Sequence, residues 1–264
     1  SSTIGTDAFQ EVDMVGITRH CVKHNFLVKQ VDGLANTIKK AFYLARTGRP
    51  GPVIIDVAKD VTQALHKFCY PQEQPFIRSY QPVIHAHKGQ IKKAVQLFAL
   101  AKRPVVFFGG GIVLANAEEE LRRWIQLTGV PCVSSLMGLG AYSASHPQFL
   151  GMVGMHGTYE ANMAMQQADM VLALGVRFDD RVISVPEKYL ATAKKIIHID
   201  IDPSSIAKRV PVNVPIVGDI KLALQAMTYQ WEEKRLILDH KGLQCWWECI
   251  EQWRSFKSLN YSDD

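Results

Sequence analysis

Four charged side chains crowd one short stretch of this chain. Arg177, Asp179, Asp180 and Arg181 fall in the string LALGVRFDDRV, residues 172–182, directly after an apolar run that ends at Gly175. A guanidinium is a planar fork of donors suited to a phosphate or a carboxylate. Neighbouring acids can keep two such forks aimed. A surface lattice of ion pairs is the plainer reading and would contribute little stability. The position at a strand end favours a ligand site, because functional loops sit there.

Three further strand ends carry residues of the same kind. In FFGGGI, Gly109, Gly110 and Gly111 would let backbone N–H groups approach a phosphate or an adenosine without obstruction. The spacing is not GxGxxG, and a tight structural turn is the other reading. HIDIDPSS ends a strand with Asp200 and Asp202. A carboxylate at such a tip can accept from ribose hydroxyls. Asp200 is the ribose candidate, Asp202 before Pro203 suits a helix cap, and Asp219 of IVGDI repeats the pattern. GMVGMHGTYEA sets Met152, Met155 and His156 among glycines, and methionine packs well on flat rings. His85 and His87 lack a third ligand, so no metal site is expected.

These tips need a scaffold, and the apolar runs supply one. Residues 1–62 read as helix, strand, helix, strand. The second helix, DGLANTIKKAFYLARTG, is expected to be capped by Asp32, stopped by Gly48 and buried along Leu34, Ile38, Phe42 and Ala45. PGPVIIDV reads as a buried strand of a parallel sheet. Residues 63–85, with Pro71, Pro75 and Pro82, read as a linker. Residues 86–229 alternate: a helix with Ile91, Val95 and Phe98, then PVVFFGGG, then NAEEELRRWIQLTG with a capping box at Asn116 and Glu119. The strand VPCVSSL, a helix capped by Thr158, the strands DMVLALG and KIIHIDID, a helix from PSSIAKRV, and VPIVGD before IKLALQAM complete the series. Such alternation predicts an α/β fold, a Rossmann-like parallel sheet with helices on both faces. Its ligands would sit at the carboxyl ends of the strands. Residues 230–264 read as helical, with a stripe of Trp246, Ile250 and Trp253 that either packs on this domain or leads to another.

Composition narrows the class. The chain has 264 residues, 47% of them hydrophobic and 21% charged, with a net charge of +5. That describes a folded globular protein. The basic residues form scattered pairs, not a stripe, so no nucleic-acid partner is expected. No apolar run approaches the ~18 residues that span a bilayer, and no signal peptide is read at the start, so no membrane role is expected either. The five cysteines form no CxxC and are expected to be reduced thiols of a cytoplasmic protein, with Cys245 and Cys249 serving packing. The opening serine suggests a processed product or a piece of a longer chain.

Together GTDAFQEVD, VKHNFLVKQ, TGRPGPVIIDVAKDV, SLMGLGAYSASHP, GMVGMHGTYEANM, GVRFDDRV and HIDIDPSSIAK, spread from about residue 4 to residue 257, resemble the catalytic large subunit of acetohydroxyacid synthase, also called acetolactate synthase. The resemblance implies a thiamine-diphosphate enzyme of three domains. Residues 1–62 would be the later part of the pyrimidine-side thiamine-diphosphate domain, 63–85 a linker, 86–229 the central FAD-binding domain and 230–264 a helical linker toward a pyrophosphate-side domain. It implies condensation of a pyruvate-derived two-carbon unit with pyruvate or 2-oxobutyrate, in branched-chain amino-acid biosynthesis. The family's activating glutamate and its metal-holding GDG…N segment are not found in the sequence, so the fragment alone is expected to be inactive.

By the same resemblance, FAD would lie against Arg49, Gly109, Gly110, Gly111, Ser135, Leu136, Met137, Met155 and His156. It would continue along Gly175, Arg177, Asp179, Arg181, Val182, Asp200, Ile201, Asp219 and Ile220. Ser135 stands where the family often has Thr, and Asp200 where it can have Glu. Arg181 would pair with the carboxylate of the second substrate, with Asp180 steadying it; Met155 would touch that substrate's alkyl tail and Phe9 a methyl group. Gln10 and Lys59 would line the channel. Thiamine diphosphate and Mg²⁺ would bind in the full-length enzyme, which would form homodimers or tetramers with a small regulatory subunit. Two other readings stand beside this one. They are a related thiamine-diphosphate flavoenzyme of the pyruvate oxidase or glyoxylate carboligase type, and a stand-alone FAD-binding module.

Overall fold

In the computed structural model, which describes residues 4–260, the chain divides into two units, one up to Pro82 and one from Val83 on. The first is built on a parallel pair of strands, β1 (His24–Val28) and β2 (Val53–Val57), in register from His24 opposite Val53 to Val28 opposite Val57. Around them run the helices α1 (Met14–Thr18), α2 (Leu34–Arg46) and α3 (Lys59–Gln63). Two strands cover little, and two expectations fail for that reason. In α2 only Ala41 and Leu44 are buried, while Ile38 is 38% and Phe42 68% exposed. Every residue of β2 is half-buried rather than buried. Asp32 caps nothing in α2; it lies in a 3₁₀ turn at Val31–Gly33, and α2 starts from Gly33 without a side-chain cap. The other end of α2 is held by Lys23, whose Nζ donates to Leu44 O and Thr47 O at 2.6 and 2.7 Å. A cation there answers carbonyls that the helix leaves unbonded.

The second unit is a six-stranded sheet in the order β5-β4-β3-β6-β7-β8, every pair parallel. The strands are β3 (Pro104–Phe108), β4 (Cys132–Ser134), β5 (Phe149–Met152), β6 (Met170–Leu174), β7 (Lys195–Asp200) and β8 (Val214–Val217). β3, β4 and β6 are buried throughout, as continuous apolar runs of a parallel sheet should be. β5, an edge strand carrying Gly151, was not among the expected strands.

On one face of the sheet a core joins α4 (Lys88–Phe98), α5 (Gly110–Leu114), α6 (Glu118–Thr128) and α9 (Ile220–Glu233) around Phe98, Trp124 and Trp231. On the other, α7 (Tyr159–Gln167), the short α8 (Pro186–Leu190) and α10 (His240–Arg254) enclose Phe107, Phe178 and Trp246. Trp246 Nε1 donates to Pro104 O at 3.0 Å, which pins α10 to the start of β3. Thr158 caps α7 through Ala161 N, and Gly129 ends α6 with φ +71. The capping box of α6 does not form. Asn116 takes a left-handed φ of +48, and the helix opens from Ala117 without a side-chain cap. PSSIAKRV gives only a 3₁₀ turn at Pro203–Ser205, capped by Asp202. Cys245 and Cys249 are exposed and do not pack. Among the described residues no helix is long and apolar enough to cross a membrane.

Candidate functional site

The strand order contains a reversal. From β3 the chain moves outward to β4 and β5, then returns beside β3 as β6 and moves the other way through β7 and β8. Adjacent strands whose connections diverge leave a crevice at their carboxyl ends, where open α/β sheets bind ligands. Here those strands are β3, which ends at the triple glycine, and β6, which ends at GVRFDDRV.

The two turns press together. Gly109 N donates to Leu174 O at 3.0 Å and Gly111 N to Gly175 O at 3.2 Å. A Cβ on Gly111 would lie 2.5 Å from Gly175 Cα, and one on Gly175, at φ +58, 2.5 Å from Gly111 Cα. This corrects one reading of the triple glycine. Two of its three N–H groups are bonded to the neighbouring strand's end, so its first task is close backbone packing. The turn Leu136–Gly138 closes on the same spot, since a Cβ on Gly138 would meet Phe108 O at 2.9 Å. Ser135 Oγ would lie 2.9 Å from a Cβ on Gly109, and Met137 Cβ 3.1 Å from one on Gly110. The Cδ1 of Ile220 is 2.7 Å from where a Gly175 Cβ would be, which brings in the start of α9.

The loop after β6 hangs on one aromatic residue. Phe178 is buried at a left-handed φ of +50, between Phe107 (5.5 Å between centroids), His198 (5.4 Å) and Tyr189 (6.5 Å). With Phe178 turned inward, Arg177, Asp180 and Arg181 on either side are exposed. His198 is buried and its Nε2 lies 2.8 Å from Val176 O. A carbonyl only accepts, so Nε2 carries the proton and the buried Nδ1 is left without a partner. Burial pushes His198 down to about 4, against the opposing hydrogen bond to Val176. It stays neutral and acts as a strut.

The charges themselves are loosely held. Arg177 and Asp179 stand 3.9 Å apart, too far to use the guanidinium's fork. The Asp179 Oδ1 atom is buried without a hydrogen-bond partner. Neither Asp180 nor Arg181 is within ion-pairing distance of an opposite charge among the described residues, so Asp180 does not steady Arg181 by a salt bridge. The Met155 turn meets the Arg181 loop through their backbones: Met155 N donates to Arg181 O at 3.2 Å. Leu136, Met137 and Met155 are 67%, 74% and 70% exposed, and His156 is exposed beside them.

Asp200 is buried at the tip of β7 and accepts from Asp202 N at 2.9 Å; Gly218 N donates to its carbonyl at 3.0 Å. Asp219 caps α9 through Leu222 N at 3.0 Å. Ile201 is half-buried after β7, and the N–H of Val182 donates to Asp179 O at 3.2 Å. Phe9, Gln10, Arg49 and Lys59 belong to the first unit, where all four are exposed; Gln10 has φ +62 and Lys59 opens α3. One crevice thus gathers the glycine turn, Ser135–Met137, Gly175–Val182 with Met155, and Ile220. Its cradle, exposed methionines, unpaired Arg181 and partnerless Asp179 oxygen fit an extended ligand with a flat ring, hydroxyls and an anionic group.

Sequence reasoning passed over Phe178 and His198. The signal for Phe178 was a lone aromatic amid four charges, and for His198 a single imidazole in an apolar strand.

A parallel sheet whose strand order reverses between two glycine turns is an open α/β architecture of the kind that binds ligands at its strand ends. The model of the family described as thiamine pyrophosphate enzyme, central domain, matches residues 91–227, and the chain belongs to that family. Among its relatives are the acetolactate synthase large subunit of Haemophilus influenzae, 50% identical over 264 residues, and the acetolactate synthase isozyme 3 large subunit of Escherichia coli, 48% identical over 262. The acetolactate synthase of Mycobacterium leprae is 44% identical over 264 residues. Each alignment covers 99% of this chain but only 45%, 46% and 41% of those relatives. The chain therefore spans less than half the length of the curated relatives it matches.

Proposed function

We propose that the chain is part of the large catalytic subunit of an acetolactate synthase, joining pyruvate to a second 2-oxo acid, pyruvate or 2-oxobutyrate. In this reading residues 1–62 are the later part of the pyrimidine-side domain, 63–85 a linker, 86–229 the FAD-binding domain and 230–264 the path toward the pyrophosphate-side domain. Thiamine diphosphate with Mg²⁺, when bound in the intact enzyme, supplies the chemistry that releases CO₂ and makes the two-carbon donor. FAD is held in the crevice as a retained structural group. The intact enzyme is a homodimer or tetramer with a small regulatory subunit.

The observation that carries this reading is the junction of the Met155 turn with the Arg181 loop beside the crevice, through the bond from Met155 N to Arg181 O. A 2-oxo acid brings a carboxylate and a short alkyl tail. An exposed guanidinium without an ionic partner suits the first, and an exposed methionine suits the second. Asp179 and Asp200 offer carboxylates for hydroxyl groups, Leu136, Met137 and Met155 an apolar rest for a flat ring. Arg177 offers its fork to a phosphate. Phe9, Gln10, Lys59 and Arg49 are assigned to the substrate channel and the flavin on the same reading.

Arg181→Lys in the intact polypeptide tests it. A point charge replaces a fork that fixes orientation, so the KM for the second 2-oxo acid should rise roughly tenfold or more, for a loss of about 1.4 kcal/mol. An unchanged KM and rate of acetolactate formation would remove Arg181 from the site. Purified intact protein without bound flavin would remove FAD.

A further inference from the structure

One side chain of α7 does nothing for its own helix. Asn162 Nδ2 donates to Gly154 O at 3.0 Å, and Asn162 Oδ1 accepts from Gly154 N at 2.9 Å. A primary amide is the uncharged side-chain group that answers a backbone donor and a backbone acceptor together, as a strand partner would. Gly154 sits at φ +106, and a Cβ there would lie 2.6 Å from Arg181 O. The next N–H, that of Met155, donates to this same Arg181 carbonyl. A single path thus runs from α7 through Asn162, Gly154 and Met155 to Arg181, using the backbone of the last three and leaving the side chains of Met155 and Arg181 uncommitted.

We propose that Asn162 is a positioning residue: by clamping the N–H and C=O of Gly154 from α7, it sets the spacing between the Met155 turn and the Arg181 loop, and so selects which 2-oxo acid is accepted second. The proposal rests on the reading of Met155 and Arg181 as the two flanks of the acceptor site. A purely architectural role fits less well. The turn has its own closure without Asn162, since Gly157 N donates to Gly154 O at 3.0 Å and Thr158 N to Met152 O at 3.0 Å. Removing Asn162 leaves that closure in place. What it frees is the Gly154 N–H and, with it, the register of Met155 against Arg181.

The test is a competition assay on the intact polypeptide with thiamine diphosphate, Mg²⁺ and FAD, supplied with pyruvate and 2-oxobutyrate together. The two acetohydroxy acids formed and the CO₂ released are measured separately. Asn162→Ala is expected to shift the product ratio roughly fivefold, the equivalent of one hydrogen bond, with CO₂ release from pyruvate within about twofold of the parent. Asn162→Asp keeps the acceptor but sets an oxygen against Gly154 O, and should shift the ratio in the same direction. Gly154→Ala presses on Arg181 O from the other side of the junction and should shift it too. A ratio unchanged in folded Asn162→Ala overturns the proposal, as does failure of both Asn162 variants to fold, which would make the residue architectural. A parent enzyme that forms neither product overturns the activity reading itself. A parent that forms both products, beside a folded Asn162→Ala protein whose ratio is unmoved, overturns only the role of Asn162.

Discussion

The close approach of two glycines where β3 and β6 end sets a measurable order of stabilities. In Gly111→Ala the new Cβ would stand 2.5 Å from Gly175 Cα and 3.0 Å from Ile220 Cδ1. Carbon atoms prefer about 3.5–4.0 Å, so the ends of β3 and β6 must part by roughly 1 Å. Parting weakens the bonds from Gly111 N to Gly175 O and from Gly109 N to Leu174 O, each about 1 kcal/mol. Overpacking adds about 1–3 kcal/mol. Alanine's better helix propensity in α5 returns about 1 kcal/mol. The net loss is about 2–4 kcal/mol. For a unit of this size that lowers the melting temperature by roughly 4–16 °C.

Two further variants bracket this one. Gly140→Ala meets nothing within 4 Å and incurs only the left-handed φ of +92, about 1–2 kcal/mol. Gly175→Ala combines a left-handed φ of +58 with the same 2.5 Å contact and has no helix propensity to offset it. Thermal unfolding followed by circular dichroism should rank Gly140→Ala as mildest and Gly175→Ala as most severe. A Gly111→Ala protein that melts with Gly140→Ala would refute the argument that these glycines exist for close backbone approach.

Two more outcomes follow from the loop after β6. Phe178→Ala removes a buried ring packed on Phe107, His198 and Tyr189, at a cost of about 3–5 kcal/mol; trypsin should cut faster at Arg177 and Arg181, and an unchanged cleavage rate would mean that Phe178 is not the anchor. His198 titrates near 4 in the fold because it is buried, against about 6.5 unfolded. Since the unfolded chain takes up the proton first, stability should fall as pH drops through the window from about 6.5 to 4, by about 2 kcal/mol at pH 5 relative to pH 7. His198→Gln should flatten that slope in denaturant melts at the two pH values, and an equal slope would rule out His198 as its source.

What the sequence by itself determined is periodic and local. Strands β3, β6 and β7, the helix around Ile91, Val95 and Phe98, the Thr158 cap and the Gly129 stop are each decided by a few neighbouring residues, because apolar repeats and caps act within one turn or one strand. Where a local signal had to compete, it misled. Asn116 was drawn into a left-handed turn instead of a capping box. Ile38 and Phe42 found no second layer within a two-stranded unit.

Only the tertiary structure decided which strand ends meet. Gly111 and Gly175, or Met155 and Arg181, are far apart in the chain, and no periodicity states that β6 returns beside β3 rather than beyond β5. The strand order depends on long-range pairing and on the two cores that cover the sheet. The same pairing turned Phe178 inward, left Arg181 without a carboxylate among the described residues, and gave Asn162 a task on another element. Residue types named the chemistry available; which of them share a crevice was settled by how the sheet reverses.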